Sequence, residues 1–334
     1  MVAPIVYSST DPSAPVLSGT AGTLISVLDA CLVNGYGAKP AAGWTKEFSG
    51  TNVAAYRMGT GGNAQRYYMR VENTGTVFAL IAAFRTMTDV NTGTERTPAP
   101  SYYNSSTANM GDNGVALLVS HTATTQARPW RIYATPTMFY MFIQAASVPG
   151  QEYNYGVSHN PQMMFFGEYQ YYGAGYDKNV VLSGSKLSGF LSGPASGSNC
   201  PGGRNGWDRG AYLVDAIFGP SRTQPVFFAA LRYAADTAVS GMPPGGVGTT
   251  VSVVDGKIRL SPFEMFVNFP IPALIGRMPG LYHNLSNQVS LPGAILEGTG
   301  DLAGQKFVSE FAAGATGAGN SNDYFEFFIN ITDW

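Results

Sequence analysis

GTLISVLDACLVNGYGAKPAAGWTKEFSGTNVAAYR, residues 22–57, holds the only convincing amphipathic helix in a chain of 334 residues. Leu24, Val27, Leu28, Cys31 and Leu32 recur at i, i+3, i+4, i+7 and i+8, the spacing that lines one face of a helix. Ser26, Asp29 and Ala30 take the other side. Thr23 is the predicted N-cap and Asn34-Gly35 the predicted stop. A face that is apolar at five positions needs a cover, so the helix is predicted to be a core element. Two short strands just beyond it supply that cover. WTKEF (residues 44–48) and VAAYR (53–57) read as these strands, joined across the turn signal Ser49-Gly50-Thr51-Asn52. GAKPAAG (37–43) is too rich in Gly, Pro and Ala to be helix or strand.

Outward from this stretch the pattern is β. In QRYYMRVE (residues 65–72), Arg66, Tyr68, Arg70 and Glu72 alternate with Tyr67, Met69 and Val71, the period of a strand wet on one side. VFALIAAFRTM (77–87) is apolar on both faces as far as Arg85 and reads as a central strand. Asp255-Gly256 within VSVVDGKIRL (251–260) supplies the two positive-φ residues of a type I′ hairpin. Near the end, Phe325, Phe327, Ile329 and Ile331 share one strand face. Residues 88–114, 183–210 and 237–250 are rich in Gly, Ser, Asn, Thr and Pro, and loops of that length are commonly functional or ordered by neighbours. They are predicted to reach toward adjacent subunits. No repeat of 20 to 50 residues argues for a propeller or solenoid. The expectation is a mainly β chain: a jelly-roll-like β-sandwich body, one short N-terminal α-helix, and long Gly/Ser/Pro-rich loops. Residues 1–334 are read as a single β-rich unit, with 189–210 as the place where it would divide into N-terminal and C-terminal subdomains.

Composition narrows the function classes. Hydrophobic residues make up 45% of the chain, enough for a sizeable core, while charged residues are only 12%, about half the roughly 25% of ordinary soluble chains. A surface so poor in charge is suited to cover by other protein. With a net charge of −2 and no Lys/Arg cluster, a direct nucleic-acid contact is not expected. The opening MVAPIVYSSTD lacks the basic and apolar regions of a signal peptide, and the longest apolar runs are strand-sized, so neither export nor a membrane span is expected. Cys31 reads as a buried free thiol, and Cys200 sits in a Gly/Pro loop. His121, His159 and His283 show no metal-ligand spacing, and no hydrolase, zincin, P-loop or EF-hand motif is present. The chain is therefore expected to hold no metal and no cofactor and not to be an enzyme.

Residues 153–176 concentrate aromatics: Tyr153, Tyr155, Phe165, Phe166, Tyr169, Tyr171, Tyr172 and Tyr176. Such a segment fits a core, a sugar-stacking platform or a protein interface, since tyrosine buries a large area at low rotamer cost. Both faces of residues 163–172 stay apolar or aromatic, with Glu168 and Gln170 the exceptions. That pattern means a strand between two layers or one covered by another chain. Because a Gly-rich loop comes next, the expectation favours another chain, with Tyr171, Tyr172 and Tyr176 as its contacts.

Several longer segments bear a family likeness. YSSTDPSAPVLSGTAGTLISVLDACLVNGYGAKPAAGWTKEFSGTNVAAYR (7–57) resembles the opening of virion structural proteins of tailed bacteriophages. PQMMFFGEYQYYGAGYDKNVVLSG (161–184) is similar to that family's FGD-type strand and aromatic loop, with Glu168 where the family pattern has Asp. IGRMPGLYHNLSN (275–287), GTGDLAGQKF (298–307) and FFINITDW (327–334) resemble its closing motifs, in order, while residues 86–160 match loosely. The resemblance implies a non-enzymatic place in a virion, in multiple copies around the tail, neck or head surface, after synthesis in the host bacterial cytoplasm. Its implied partners are copies of itself and other virion proteins. The competing expectation is a carbohydrate- or receptor-binding β-sandwich module of a tail appendage, with a host-surface glycan as partner.

Overall fold

The computed structural model describes residues 2–60, 66–75, 77–97, 115–146, 162–173, 180–183, 211–214, 224–225, 227–229, 260–267, 273–284, 293–313 and 324–334. The described chain is mainly β, with every strand pair antiparallel and one 12-residue helical segment near the N-terminus. A central sheet runs in the order Ile5–Ser8, Trp130–Thr135, Met138–Ile143, Gln162–Glu168, Val180–Ser183, Ala211–Val214 and Gln224–Pro225. One outer sheet is built by Thr45–Gly50, Val53–Arg57, Tyr68–Glu72, Phe78–Phe84 and Val115–Leu118. The other outer sheet holds Phe227–Ala229, Leu260–Val267, Ala273–Asn284, Tyr324–Asn330, Lys306–Ala313 and Ile295–Glu297, with Gln170–Tyr171 also paired to Ala273–Asn284. Sheet membership thus changes between Pro225 and Phe227.

Strand periodicity explains why the central sheet lies in the middle. Along Met138–Ile143, side chains alternate between two cores: Phe139, Met141 and Ile143 pack toward the helix and first outer sheet, Met138, Tyr140 and Phe142 toward the second. The next strand repeats the alternation, with Met164 and Phe166 on the first side and Met163, Phe165 and Tyr169 on the second. Strands buried on both faces read as continuous apolar runs, which is how MFYMFI and QMMFF read. The sandwich is therefore extended by a third layer. This accounts within one chain for the two-sided apolarity of residues 163–169, where the sequence favoured cover by another chain.

All five stripe residues of the helix, Leu24, Val27, Leu28, Cys31 and Leu32, are fully buried in the first core, against Ala54, Tyr56, Met69 and Ile81 of the outer sheet. Its ends differ from expectation. Thr23 is the first helical residue, and the N-cap is Gly22 at φ +82°, where an added Cβ would stand 2.6 Å from Asn52 Oδ1. Regular α-helix covers Thr23–Leu28, and Asp29–Asn34 widens into a π-helical turn. The Cys31 and Leu32 carbonyls there accept the Ala42 and Trp44 amides, so the end of the helix is tied to the loop beyond it. Gly35 ends the segment with positive φ but an extended ψ of 169°, not in a left-handed helical turn.

The first hairpin forms with a tighter turn than read: Ser49 and Gly50 pair with Ala54 and Val53, leaving Thr51-Asn52 as the turn, with Asn52 at φ +56°. Phe78–Phe84 lies between Tyr68–Glu72 and Val115–Leu118, an interior position in its sheet. Part of the predicted loop at residues 88–114 folds back on this sheet instead of leaving it: Thr86–Met87 pairs with Gly93–Thr94, and Arg70 Nε donates to the Val90 carbonyl at 2.8 Å. At the other end, the Trp334 indole lies against Gly280, where a Cβ would collide with it, and edge-on to Tyr140. Tyr176, Cys200, His159, residues 98–114, 184–210 and 237–250 and the hairpin residues 251–259 fall outside the described residues.

Candidate functional site

A cleft of about 330 Å³ opens where the turn after the first strand meets the start of Trp130–Thr135, the end of Met138–Ile143 and the second outer sheet. Ser8, Ser9 and Thr10 form its rim, Trp130 and Phe142 its apolar wall, and Arg131, Gln144 and Glu310 its polar floor. The cleft exists because three chain segments converge there: Ser9 donates its amide to the Trp130 carbonyl at 2.9 Å, and Ser9 Oγ accepts the Trp130 amide at 3.1 Å. Asp11 Oδ2 accepts the Ser8 amide at 2.8 Å and fixes the rim turn.

The floor is charged but balanced. Glu310, 1% exposed, accepts the Tyr133 hydroxyl at 2.6 Å and pairs with Arg131 Nε at 3.1 Å, both on Oε1. Burial, reinforced by the Glu310 charge, pushes the Tyr133 hydroxyl well above its ordinary range, so it stays a neutral donor. Beside this pair lies Gln144. It is only 6% exposed, and its side-chain Oε1 is enclosed without a hydrogen-bond partner. The cleft thus has a charge-balanced lining with small hydroxyls at its rim, while the Gln144 acceptor is closed off from solvent.

The sequence-predicted contacts lie elsewhere. Tyr171 packs partly buried against the second core, and Tyr172 on the neighbouring position is 47% exposed. Tyr172 donates to Glu264 Oε2 at 2.6 Å; burial, then this carboxylate, pushes its pKa up to about 12. Arg277 Nε donates to Gln170 Oε1 at 2.6 Å on the same strand pair. Tyr169, 1% exposed, belongs to the core.

Sequence reading missed Arg131, Gln144 and Glu310. A signal exists for Glu310: in KFVSEFAA it takes the same parity as core-facing Val308, so a carboxylate stands where alternation calls for an apolar residue. Gln144 ends the apolar run MFYMFI with nothing to distinguish it from an ordinary strand end. Cys31 is buried, and burial, with the Asp11 charge, pushes its thiol up, away from nucleophilic reactivity. Among the described residues, no group of three or more His, Cys, Asp or Glu side chains is placed to hold a metal ion, and no helix is long and apolar enough to cross a membrane. No protein-family model matches the chain, and no curated protein matches it.

Proposed function

We propose that the protein is a non-enzymatic structural component of a tailed-phage virion, present in multiple copies and acting through contacts with copies of itself and with other virion proteins. The observation that carries this reading is Tyr172, a ring half exposed on the second outer sheet and held in place by its hydrogen bond to Glu264. A large amphipathic side chain that is already ordered loses little entropy on being covered, which is why interfaces favour tyrosine. The placement of the family-like motifs supports the reading too. Residues 7–57 hold the end of the first strand, the helix and the first hairpin; of the later motifs, residues 275–284 lie in Ala273–Asn284, 298–307 hold the turn around Gly300–Leu302 and the start of Lys306–Ala313, and 327–334 hold the end of Tyr324–Asn330, so among the described residues the likeness falls largely on framework elements. With charged residues at 12%, the surface is sparsely guarded against association.

The test is incorporation into particles. Tyr172→Ser isolates the surface effect, because Tyr171 also packs on the core; the triple change with Tyr171 and Tyr176 extends it. The expected result is an unchanged circular dichroism spectrum of the isolated chain and fewer copies per particle. Normal copy number with normal infectivity in both variants would overturn the interface.

A further inference from the structure

We infer that the strand Ile295–Glu297, at the edge of the second outer sheet, pairs with the same strand of a second copy of this chain, antiparallel about a two-fold axis at Leu296. Several copies must meet for this, which rests on the structural role proposed above, but neither Tyr172 nor the cleft takes part. Backbone phase decides which groups the edge offers. Gly298 donates its amide to the Gln305 carbonyl at 2.8 Å, and the Ser309 amide goes to the Ala294 carbonyl at 2.9 Å. In the register that sets Leu296 opposite Phe307, residues 294, 296 and 298 therefore turn their backbone groups toward Lys306–Ala313. The N–H and C=O of Ile295 and Glu297 point the other way, off the end of the sheet, where no described strand lies. Two other sheet edges are guarded. At the edge strand Ile5–Ser8, Lys39 Nζ donates to the Val6 carbonyl at 2.8 Å and the Tyr36 hydroxyl to the Ser8 carbonyl at 3.4 Å. Along Thr45–Gly50 a bulge between Lys46 and Phe48 breaks the register, with Lys46 and Glu47 exposed. Ile295–Glu297 has no such guard, and Ile295 is 62% exposed.

Self-pairing suits this edge. A two-fold axis at Leu296 sets Ile295 opposite Glu297 of the second copy, so the residues with outward backbone groups meet and exchange both hydrogen bonds, twice over by symmetry. Leu296, whose own groups are committed to Phe307, then faces its counterpart in a non-hydrogen-bonded pair. Side chains agree with the register. Ile295 stands opposite Val308, a member of the second core, and so lies on the core side of the sheet although it is exposed. In the pair, the Ile295 side chains of the two copies are diagonal neighbours on one face and cover each other. Glu297 brings little uncompensated charge, because its carboxylate lies 3.9 Å from Lys306 Nζ. The second outer sheets of the two copies become one continuous sheet.

A strand of 3 residues makes a short ladder, so the pairing between two chains is weak and is best trapped covalently. The test is disulfide formation in the purified full chain carrying Cys200→Ser, with Cys31 buried and out of reach. Under the two-fold, Leu296→Cys faces its counterpart at a Cα separation of about 4.5 Å, inside the range a disulfide spans. Thr299→Cys, exposed just beyond the strand, would stand about 20 Å from its counterpart in the same register and reports random collision. Mild oxidation is expected to give covalent dimers with Leu296→Cys and only the background with Thr299→Cys. Adding Ile295→Pro removes an outward N–H from each copy while sparing the bonds to Lys306–Ala313, and should cut the dimer yield about tenfold. Glu297→Pro does the same from the other position and decides the matter if Ile295→Pro alters the circular dichroism spectrum. Dimers from Leu296→Cys no more abundant than from Thr299→Cys would overturn the inference, as would a yield that ignores the prolines. Either result beside a lowered copy number for Tyr172→Ser would remove the strand pairing and leave the structural role standing.

Discussion

His283 is 8% exposed, edge-on to the Phe263 ring, and its Nδ1 has no hydrogen-bond partner. Burial disfavours the charged imidazolium and pushes the pKa down from 6.5 to about 4. Between those values the unfolded chain holds a proton that the folded chain refuses. Stability from the neutral ring is complete above pH 6.5, falls as pH drops toward 4, and levels off below. From pH 7 to pH 5 this one group should cost about 2 kcal/mol. Urea unfolding of the natural chain and of His283→Phe at both pH values checks it; equal losses in the two proteins would rule the histidine out as the cause. Arg131 makes a different case. Removing it leaves Glu310 nearly unexposed with a carboxylate deprived of its cation, so Arg131→Leu should destabilise by about 3 kcal/mol, the low end for breaking a buried pair because Arg131 itself is partly exposed. A change under about 0.5 kcal/mol, the range of surface substitutions, would show that the pair is well solvated.

At the scale of the element, the helix depends on a residue far from it in sequence. Asn73, fully buried after Tyr68–Glu72, accepts the Leu24 amide on Oδ1 at 3.1 Å. It also accepts the Gly22 amide on its backbone carbonyl at 2.9 Å and donates its own amide to the Asn52 carbonyl at 2.9 Å. One side chain and its backbone therefore join the helix N-terminus to the first hairpin. Asn73→Ala strands the Leu24 amide in the core and should cost about 1–3 kcal/mol. Thr23 Oγ1 donates to the Ser18 and Thr20 carbonyls from a half-buried position, so Thr23→Ala should cost less than Asn73→Ala; the reverse order by chemical denaturation would return the cap to Thr23. Packing on the other side of the helix is apolar. Leu28→Ala or Leu32→Ala removes a fully buried side chain and should lower stability by roughly 2–5 kcal/mol by calorimetry, while a loss below about 1 kcal/mol in both would speak against a rigid core there.

For the whole molecule, among the described residues, the two large cores serve three layers with the central sheet as the shared wall, and a third, small cluster of Ala55, Tyr68, Ala82, Phe84 and Met87 belongs to the first outer sheet and the short pair beside it. Surface chemistry then decides what the body does next. A chain with 12% charged residues and a pinned, half-exposed tyrosine on an outer sheet is expected to self-associate, so light scattering on the purified protein should show a mass that rises with concentration. A mass that stays at one chain throughout would assign the cover of that surface to other proteins. Tyr172→Ser should lower the association if the same ring mediates it.

Local periodicity determined much of this protein before any contact was known. The stripe Leu24, Val27, Leu28, Cys31 and Leu32 identified the helix and its buried face, and the alternation through Tyr67, Met69 and Val71 identified a strand and its core side, because 3.6 and 2 residue repeats are properties of one segment alone. Tertiary structure decided what no single segment carries. Whether a two-sided apolar strand such as Gln162–Glu168 is covered by its own chain or by another depends on where the C-terminal strands pack. The helix cap came from Asn73, 49 positions beyond Leu24, where no local capping pattern points. The cleft brings together side chains from residue 8 to residue 310, and an acceptor such as Gln144 Oε1 becomes unpartnered only when the surrounding walls exclude water from it.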